Sequence, residues 1–283
     1  MPELPEVETI RRQLEPDLLG QRIERLEVLD ERWTRPVDPG EVERAVDGKR
    51  IERLDRRGKY FLVGLEDDFV LVMHLRMTGN LLLVDAGTPD AAYLRARFVL
   101  EDGRQLWFVD ARRFGEGAVL DAAEVEQRFR GRLGVEPLSD VFTAGELGRI
   151  TAGRSAPLKS FLLNQAGIAG VGNIYADEAL FRARLHPLSP AGSMRAEHHA
   201  ALRDAVVASL CAGIDGGGAS IDDYRDARGG RGTMQDEFLV HAREGQPCVR
   251  CGEPIRRIVV AGRSTYYCPR CQVRLRRRRR TGL

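Results

Sequence analysis

The chain has 283 residues, with 44 lysines and arginines against 42 aspartates and glutamates, for a formal net charge of +2. With 43% hydrophobic and 30% charged residues it can bury a substantial core, which excludes general disorder. No run approaches the ~18 apolar residues that span a bilayer, and the opening MPELPEVETIRR has glutamates where a secretory signal needs a basic flank and then an apolar stretch. The expectation is a cytoplasmic chain of one large domain or two ordinary ones.

Val7, Ile10, Leu14 and Leu18 recur at helical spacing, Pro5 suits a first turn and Gly20 a stop, which predicts a helix over residues 5–19. Short β-rich runs follow at 22–29, 59–65, 69–75, 80–84, 94–100 and 104–109, separated by Gly, Asp and Pro clusters. Leu94, Ala96, Phe98 and Leu100 alternate with polar neighbours, the period of a half-buried strand. Several such strands at close spacing point to a sandwich or barrel. After Pro137 the period changes. Ala176, Ala179, Leu180 and Ala183 share one helical face, as do Leu202, Ala205, Val206, Ser209 and Leu210. Cys211 reads as a buried thiol of that second helix. Residues 215–235, rich in Gly and Asp without an apolar period, read as a long mobile loop.

The near-neutral total hides an asymmetry. From Gly245 onward there are eleven arginines and one acid, Glu253, a net +10 that leaves −8 for the rest of the chain. A basic patch of that density attracts a phosphate backbone through counterion release. The run Arg276 to Arg280 reads equally as a solvated tail. Within the same segment Cys248-x2-Cys251-x16-Cys268-x2-Cys271 has four-cysteine zinc spacing. All four positions are filled by protein ligands, so the expected Zn2+ is single and structural. A segment with so little core folds because the metal binds it. IRRIVVAGRSTYY between the knuckles predicts two short strands around a turn at Gly262, with Arg263 at its tip.

Pro2, behind Met1, becomes an N-terminal secondary amine if methionine is removed. An α-amino group has a reference pKa of about 8 against about 10.4 for lysine, so more of it is neutral and nucleophilic. Condensed with an aldehyde carbon, a secondary amine must form a cationic iminium, an electron sink suited to elimination.

MPELPEVETIRR, RRGKY at 56–60, HLRMTG at 74–79, DARRFG at 110–115, GVGNIYADEALF at 170–181 and VVAGRSTYYCPRC occur in the order seen in formamidopyrimidine-DNA glycosylases, which the chain resembles from residue 1 to about 272. The resemblance implies an α+β fold: an N-terminal β-sandwich with an N-terminal helix over 1–135, a helix–two-turns–helix domain over 136–240, a zinc hairpin over 245–273 and a basic tail over 274–283. It implies damaged double-stranded DNA as partner and excision of an oxidised purine flipped from the duplex. Processed Pro2 would attack the sugar C1′, release the base and form a Schiff base, with β- and δ-elimination to follow. By position in the motifs, Glu3 is the acid–base, Lys59 and Arg263 grip phosphates beside the lesion, and Asn173, an expected N-cap, presents a helix N-terminus to another. His74 is a phosphate contact or a core histidine. Met77, Arg112 and Phe114 match the residues that fill the gap left by the flipped base, apolar wedges for lost stacking and a guanidinium for the orphaned cytosine.

The sequence also departs from the family pattern. Residues 217–234 differ from the stretch that closes over the damaged base and add Asp222 and Asp223, while Arg76, Ala111 and His241 replace a usual glycine, proline and tyrosine. Two alternatives to the oxidised-purine reading follow: an endonuclease VIII-like glycosylase for oxidised pyrimidines, and an inactive zinc-dependent DNA-binding protein. The default expectation for assembly is a monomer, associated with the nucleoid.

Overall fold

The computed structural model describes residues 1–276, and Arg277 to Arg280 of the basic tail lie outside the described residues. The chain forms two compact units, one of Met1–Arg130 with Ile214–Gln235 and the other of Gly131–Gly213 with the residues from Asp236 onward.

The first unit begins with helix α1, Leu4–Leu18, whose Val7, Ile10, Leu14 and Leu18 are all buried. Strand β1 (Ile23–Val28) and helix α2 (Pro39–Val46) follow. Strands β2 (Ile51–Arg57), β3 (Tyr60–Leu65), β4 (Val70–His74), β5 (Gly79–Val84), β6 (Leu94–Leu100), β7 (Gln105–Asp110) and β8 (Glu116–Leu120) lead to helix α3 (Ala122–Phe129). The strands make two four-stranded antiparallel sheets, ordered β1-β6-β7-β5 and β2-β3-β4-β8. One core joins them: Leu26, Phe98 and Phe108 from the first sheet pack in the same cluster as Phe61, Val63 and Met73 from the second, with Ile10 and Leu14 of α1.

The runs at 22–29, 59–65, 69–75, 80–84, 94–100 and 104–109 are all strands, and the strict alternation in β6 is matched by its burial. Strand β2 is not evident from its sequence. Its inward residues Ile51 and Leu54 stand three apart because a bulge between Ile51 and Arg53 breaks the two-residue period. Helix α2 is too short to establish a period, and its start is set by Asp38, whose carboxylate accepts the Gly40 N–H at 2.9 Å.

Residues 214–235 belong to the first unit and are anchored there rather than loose. The Gln13 side chain accepts the Ala227 N–H at 2.9 Å, the Ala227 carbonyl accepts the Leu83 N–H at 2.9 Å, and Asn80 bonds to Asp223 and Arg225. These partners are polar groups on α1 and β5, far away in sequence, so apolar periodicity gives no sign of them.

The second unit contains helices α4 (Ala144–Thr151), α5 (Leu158–Leu163), α6 (Asn173–Arg182) and most of α7 (Ala196–Asp215), then the hairpin of β9 (Arg256–Val260) and β10 (Arg263–Tyr267). Leu202, Val206, Ser209 and Leu210 form the buried face of α7. Cys211 is exposed, against the expectation of a buried thiol. At about 100° per residue it falls half a turn from the Leu202–Val206–Ser209 stripe. In the hairpin, Ala261 and Gly262 both have positive φ, 49° and 73°, the two-residue turn that matches strand twist. Among the described residues no helix is long and apolar enough to cross a membrane.

Candidate active site and metal centre

In the first unit the chain start is folded in. Pro2 is buried, Glu3 is only 2% exposed, and Glu3 is the extended N-cap of α1. The Glu6 carboxylate accepts the Glu3 N–H at 2.7 Å, which fixes the dipeptide at the helix entrance. Met1 lines a surface depression together with Arg76, Met77, Arg113 and Phe114. The residue preceding Pro2 therefore shares one site with two of the three expected gap-filling residues.

Those residues stand on two turns organised by one buried acid. Asp110, 1% exposed at the end of β7, accepts the N–H groups of Arg112 at 3.1 Å, Phe114 at 2.8 Å and Gly115 at 2.7 Å, and the Thr78 hydroxyl donates to it. It thus ties the turn bearing Met77 to the turn bearing Arg112 and Phe114. Gly115 is required there, since a Cβ would lie 2.5 Å from the Phe108 ring. Phe114 is 53% exposed, and the Arg112 guanidinium stacks 4.7 Å from its ring centroid. An exposed aromatic held by a rigid turn fills no core and is open to a partner. Arg76 explains why glycine is usual at its position: its φ is +52°, in the left-handed region.

Lys59 occupies the second position of the two-residue turn between β2 and β3, after Gly58 at φ +58°, and is 7% exposed. His74, at the end of β4, is also 7% exposed and meets the Tyr60 ring edge-on at 4.5 Å between centroids. Burial, then the charges of Arg76, Lys59 and Arg128, push His74 down to about 3. Its Nδ1 accepts the Arg76 N–H at 2.9 Å, so the neutral ring carries its proton on Nε2 and can act there as a donor.

In the second unit, Gly172 and not Asn173 is the N-cap of α6; Asn173 is the first helical residue, and its Nδ2 donates to the Ser264 carbonyl of β10 at 3.0 Å. The helix start and the hairpin carrying exposed Arg263 are thereby joined. Beneath them is a buried network invisible in the sequence. Lys159 Nζ donates to the Asn173 carbonyl at 2.6 Å and to Asp177 at 2.7 Å, while the other Asp177 oxygen meets His241 Nδ1 at 2.8 Å. Glu178 accepts the N–H groups of Leu239, Val240 and His241. The only sequence sign of this network is DE in the first turns of α6, where an exposed acidic pair is the ordinary reading.

The four cysteine Sγ atoms lie within 4.8 Å of one another, with Cys248 and Cys271 3.9 Å apart and Cys251 and Cys268 3.5 Å apart. Tetrahedral ligands about 2.3 Å from zinc are separated by about 3.8 Å. The residues therefore fit one structural zinc. Backbone N–H groups of Arg250 and Cys271 point at the sulfurs of Cys248 and Cys268, both at 3.4 Å, and the Glu253 amide helps to hold the Cys251 thiol down at about 7. Cys248 and Cys268 pack with Phe181, Val240 and Ile255, so α6 and the metal knuckles share a small core.

Three family models match the chain: "Formamidopyrimidine-DNA glycosylase N-terminal domain" over residues 1–117, "Formamidopyrimidine-DNA glycosylase H2TH domain" over 133–225 and "Zinc finger found in FPG and IleRS" over 245–273. The chain is 45% identical over 275 residues to the formamidopyrimidine-DNA glycosylase of a Roseiflexus species, covering 96% of this chain and 100% of the relative. It is 48% identical over 259 residues to that of Moorella thermoacetica, covering 91% and 94%. A Lactococcus lactis FPG mutant in complex with Fapy-dG containing DNA superposes with a TM-score of 0.89 at 35% identity, covering 96% of this chain and 99% of that one. The L. lactis protein bound to abasic-site DNA gives 0.89 over 95% and 99%, also at 35% identity.

The unfolded His74 takes up a proton as pH falls through about 6.5, whereas the folded one does so only near 3, so its stabilising contribution is complete above about 6.5 and is lost on acidification toward 3. His74→Gln is expected to flatten the decline of urea stability between pH 6.5 and 5 by up to about 1.4 kcal/mol per pH unit; an unchanged slope contradicts the assignment. Zinc removal is expected to abolish hydrogen-exchange protection of the β9 and β10 amides while β6 and β7 stay protected. Persistent hairpin protection after verified metal loss contradicts a structural metal.

Proposed function

The chain belongs to the formamidopyrimidine-DNA glycosylase family, and from that premise we propose that it excises oxidised purines from duplex DNA and cleaves the strand at the resulting abasic site. The observation that carries this reading is the location of the chain start: Met1 lines the same depression as Met77 and Phe114, and the adjoining Pro2 and Glu3 are buried. Removal of Met1 would free the Pro2 amine beside the residues assigned to replace a flipped base.

In the proposed reaction the Pro2 nitrogen lone pair attacks C1′ of the damaged nucleoside. The C1′–base bond breaks with its electrons going to the base, which takes up a proton. Glu3 serves the opening sugar ring as acid and base. Once the nitrogen has given up its proton, its lone pair expels O4′, which takes a proton from Glu3, and a cationic iminium remains at C1′. A base removes the C2′ proton to give an enamine, whose electrons form the C2′–C3′ double bond as the C3′–O bond breaks and the 3′-phosphate leaves, restoring the iminium. A second elimination expels the 5′-phosphate, and water releases the sugar remnant from Pro2. Lys59 and Arg263 hold phosphates beside the lesion, with His74 donating from Nε2 and Asn173 placing the α6 N-terminus. Met77 and Phe114 fill the vacated stack while Arg112 faces the unpaired base. Zinc takes no part in the chemistry and shapes the hairpin that presents Arg263. The acting species in this proposal is a monomer, on chromosomal DNA in the cytoplasm.

A second substrate class is favoured by one comparison. The L. lactis FPG has been crystallised with "an oxidized pyrimidine containing DNA", and that chain is 34% identical to this one with a TM-score of 0.88. We therefore extend the proposed lesion range to some oxidised pyrimidines.

Borohydride reduction during reaction with duplexes containing 8-oxoguanine, formamidopyrimidine, an oxidised pyrimidine or an abasic site tests the reading. Covalent adducts are expected with the purine lesions, the abasic site and the oxidised pyrimidine. No adduct on any duplex, with protein shown by mass to lack Met1, would contradict the enzyme assignment. Adducts confined to the pyrimidine and abasic duplexes would shift it to the endonuclease VIII branch.

A further inference from the structure

We propose that Glu6 is a positioning residue that couples the 217–224 loop to the Pro2–Glu3 dipeptide and so governs release of the base without governing strand cleavage. The proposal rests on the function proposed above. Glu6 lies in the first turn of α1, is 1% exposed and has no role in that reaction. Its carboxylate has two calls on it: Oε2 accepts the Glu3 N–H at 2.7 Å, and Oε1 accepts the Ala219 N–H at 2.8 Å. One acid group therefore separates the nucleophile's neighbour from a loop more than two hundred residues away in sequence. A base leaving the sugar carbon under attack by Pro2 departs within reach of that loop.

The loop is built to seat on Glu6. Gly218 has φ +84°, and a Cβ there would lie 2.8 Å from the Tyr224 ring and 2.9 Å from Glu6 Cγ. The backbone thus lies directly on the glutamate side chain, and only glycine permits it. Tyr224 closes the other side. Its hydroxyl donates to the Gly217 carbonyl at 3.2 Å, and burial, with Glu6 and Asp226 nearby, pushes the phenol upward so that it stays a neutral donor. The buried Ser220 hydroxyl donates to the Tyr224 carbonyl at 3.0 Å and accepts the Gly232 N–H at 3.0 Å. Asn80 of β5 holds the far foot, donating to the Asp223 carbonyl at 3.2 Å and accepting the Arg225 N–H at 2.8 Å. Between these feet Ile221, Asp222 and Asp223 are exposed.

The two demands on Glu6 can be separated chemically. A glutamine at this helix position still has a carbonyl to accept the Glu3 N–H, as capping boxes with Glu or Gln do. Its amide group then faces the Ala219 N–H as donor against donor. Glu6→Gln should keep the helix entrance and unseat the loop. At a lesion the loop's placement affects the departing base, whereas a preformed abasic site has no base to place.

The test compares Glu6→Gln with the unaltered protein on an 8-oxoguanine or formamidopyrimidine duplex and on a preformed abasic duplex, with hydrogen exchange at Ala219–Tyr224. Base release is expected to fall about tenfold or more while abasic cleavage stays within roughly threefold, and exchange of the loop amides should rise. Equal loss on both substrates, or full base release with faster loop exchange, overturns the coupling. Abasic cleavage by the variant also shows that it folds, and failure of the unaltered protein on every duplex would count against the proposed function instead.

Discussion

The burial of α1 is the constraint on which the site depends. Val7, Ile10, Leu14 and Leu18 are almost inaccessible, and each fully buried aliphatic side chain contributes roughly 1.5–3 kcal/mol relative to exposure. The helix cannot leave the shared core of the two sheets without forfeiting that contribution, so its first residues have one place to be. Pro5 in the first turn and Glu6 on the Glu3 amide then fix the last few ångströms. In the proposed reaction the amine freed by loss of Met1, ordinarily among the freest groups in a protein, would start from a defined position. Preorganisation of this kind removes the entropic cost of bringing nucleophile and sugar together.

The second unit reaches order by other means. Its hairpin has strands of five residues with few buried side chains, and the four sulfurs supply through a metal what a core supplies in the first unit. The contact of Phe181 with the knuckles and the bond from Asn173 to Ser264 tie that hairpin to α6. Lys159, Asp177 and His241 form a wholly internal polar network against the same helix. Such networks are costly if incomplete, because a buried unpaired charge is strongly destabilising. His241 in place of the family's usual tyrosine is accommodated because Asp177 offers it an acceptor at 2.8 Å.

Much of this was legible in the sequence, and what was legible has a common cause. Helix α1, six strands of the two sheets, the hairpin strands β9 and β10 and the zinc cysteines are announced by residues whose spacing carries the physics, whether a 3.6-residue period, a two-residue period or a Cys-x2-Cys turn. Motif order identified the family, which no periodicity could have done. Other features escaped, among them strand β8 and the short helices α2 to α5. Strand β2 is hidden by its bulge, Cys211 lies half a turn from the buried stripe of α7 and is exposed, and Gly172 rather than Asn173 caps α6. Glu6 and Asp110 escaped for a deeper reason: a buried acid that accepts backbone N–H groups looks in sequence like any solvated acid. Their roles depend on amides supplied by distant or irregular segments, and those appear only in three dimensions. The 215–235 segment was legible as a loop by composition, but the groups that anchor it lie on α1 and β5.

The central claim is that the chain's own start is the nucleophile. Its most direct measurement is peptide mapping of the protein–DNA adduct left by borohydride reduction at an abasic site. The sugar remnant is expected on an N-terminal peptide beginning at Pro2, attached through the proline nitrogen. A remnant on the Lys59 side chain, or on a peptide still bearing Met1, would contradict it.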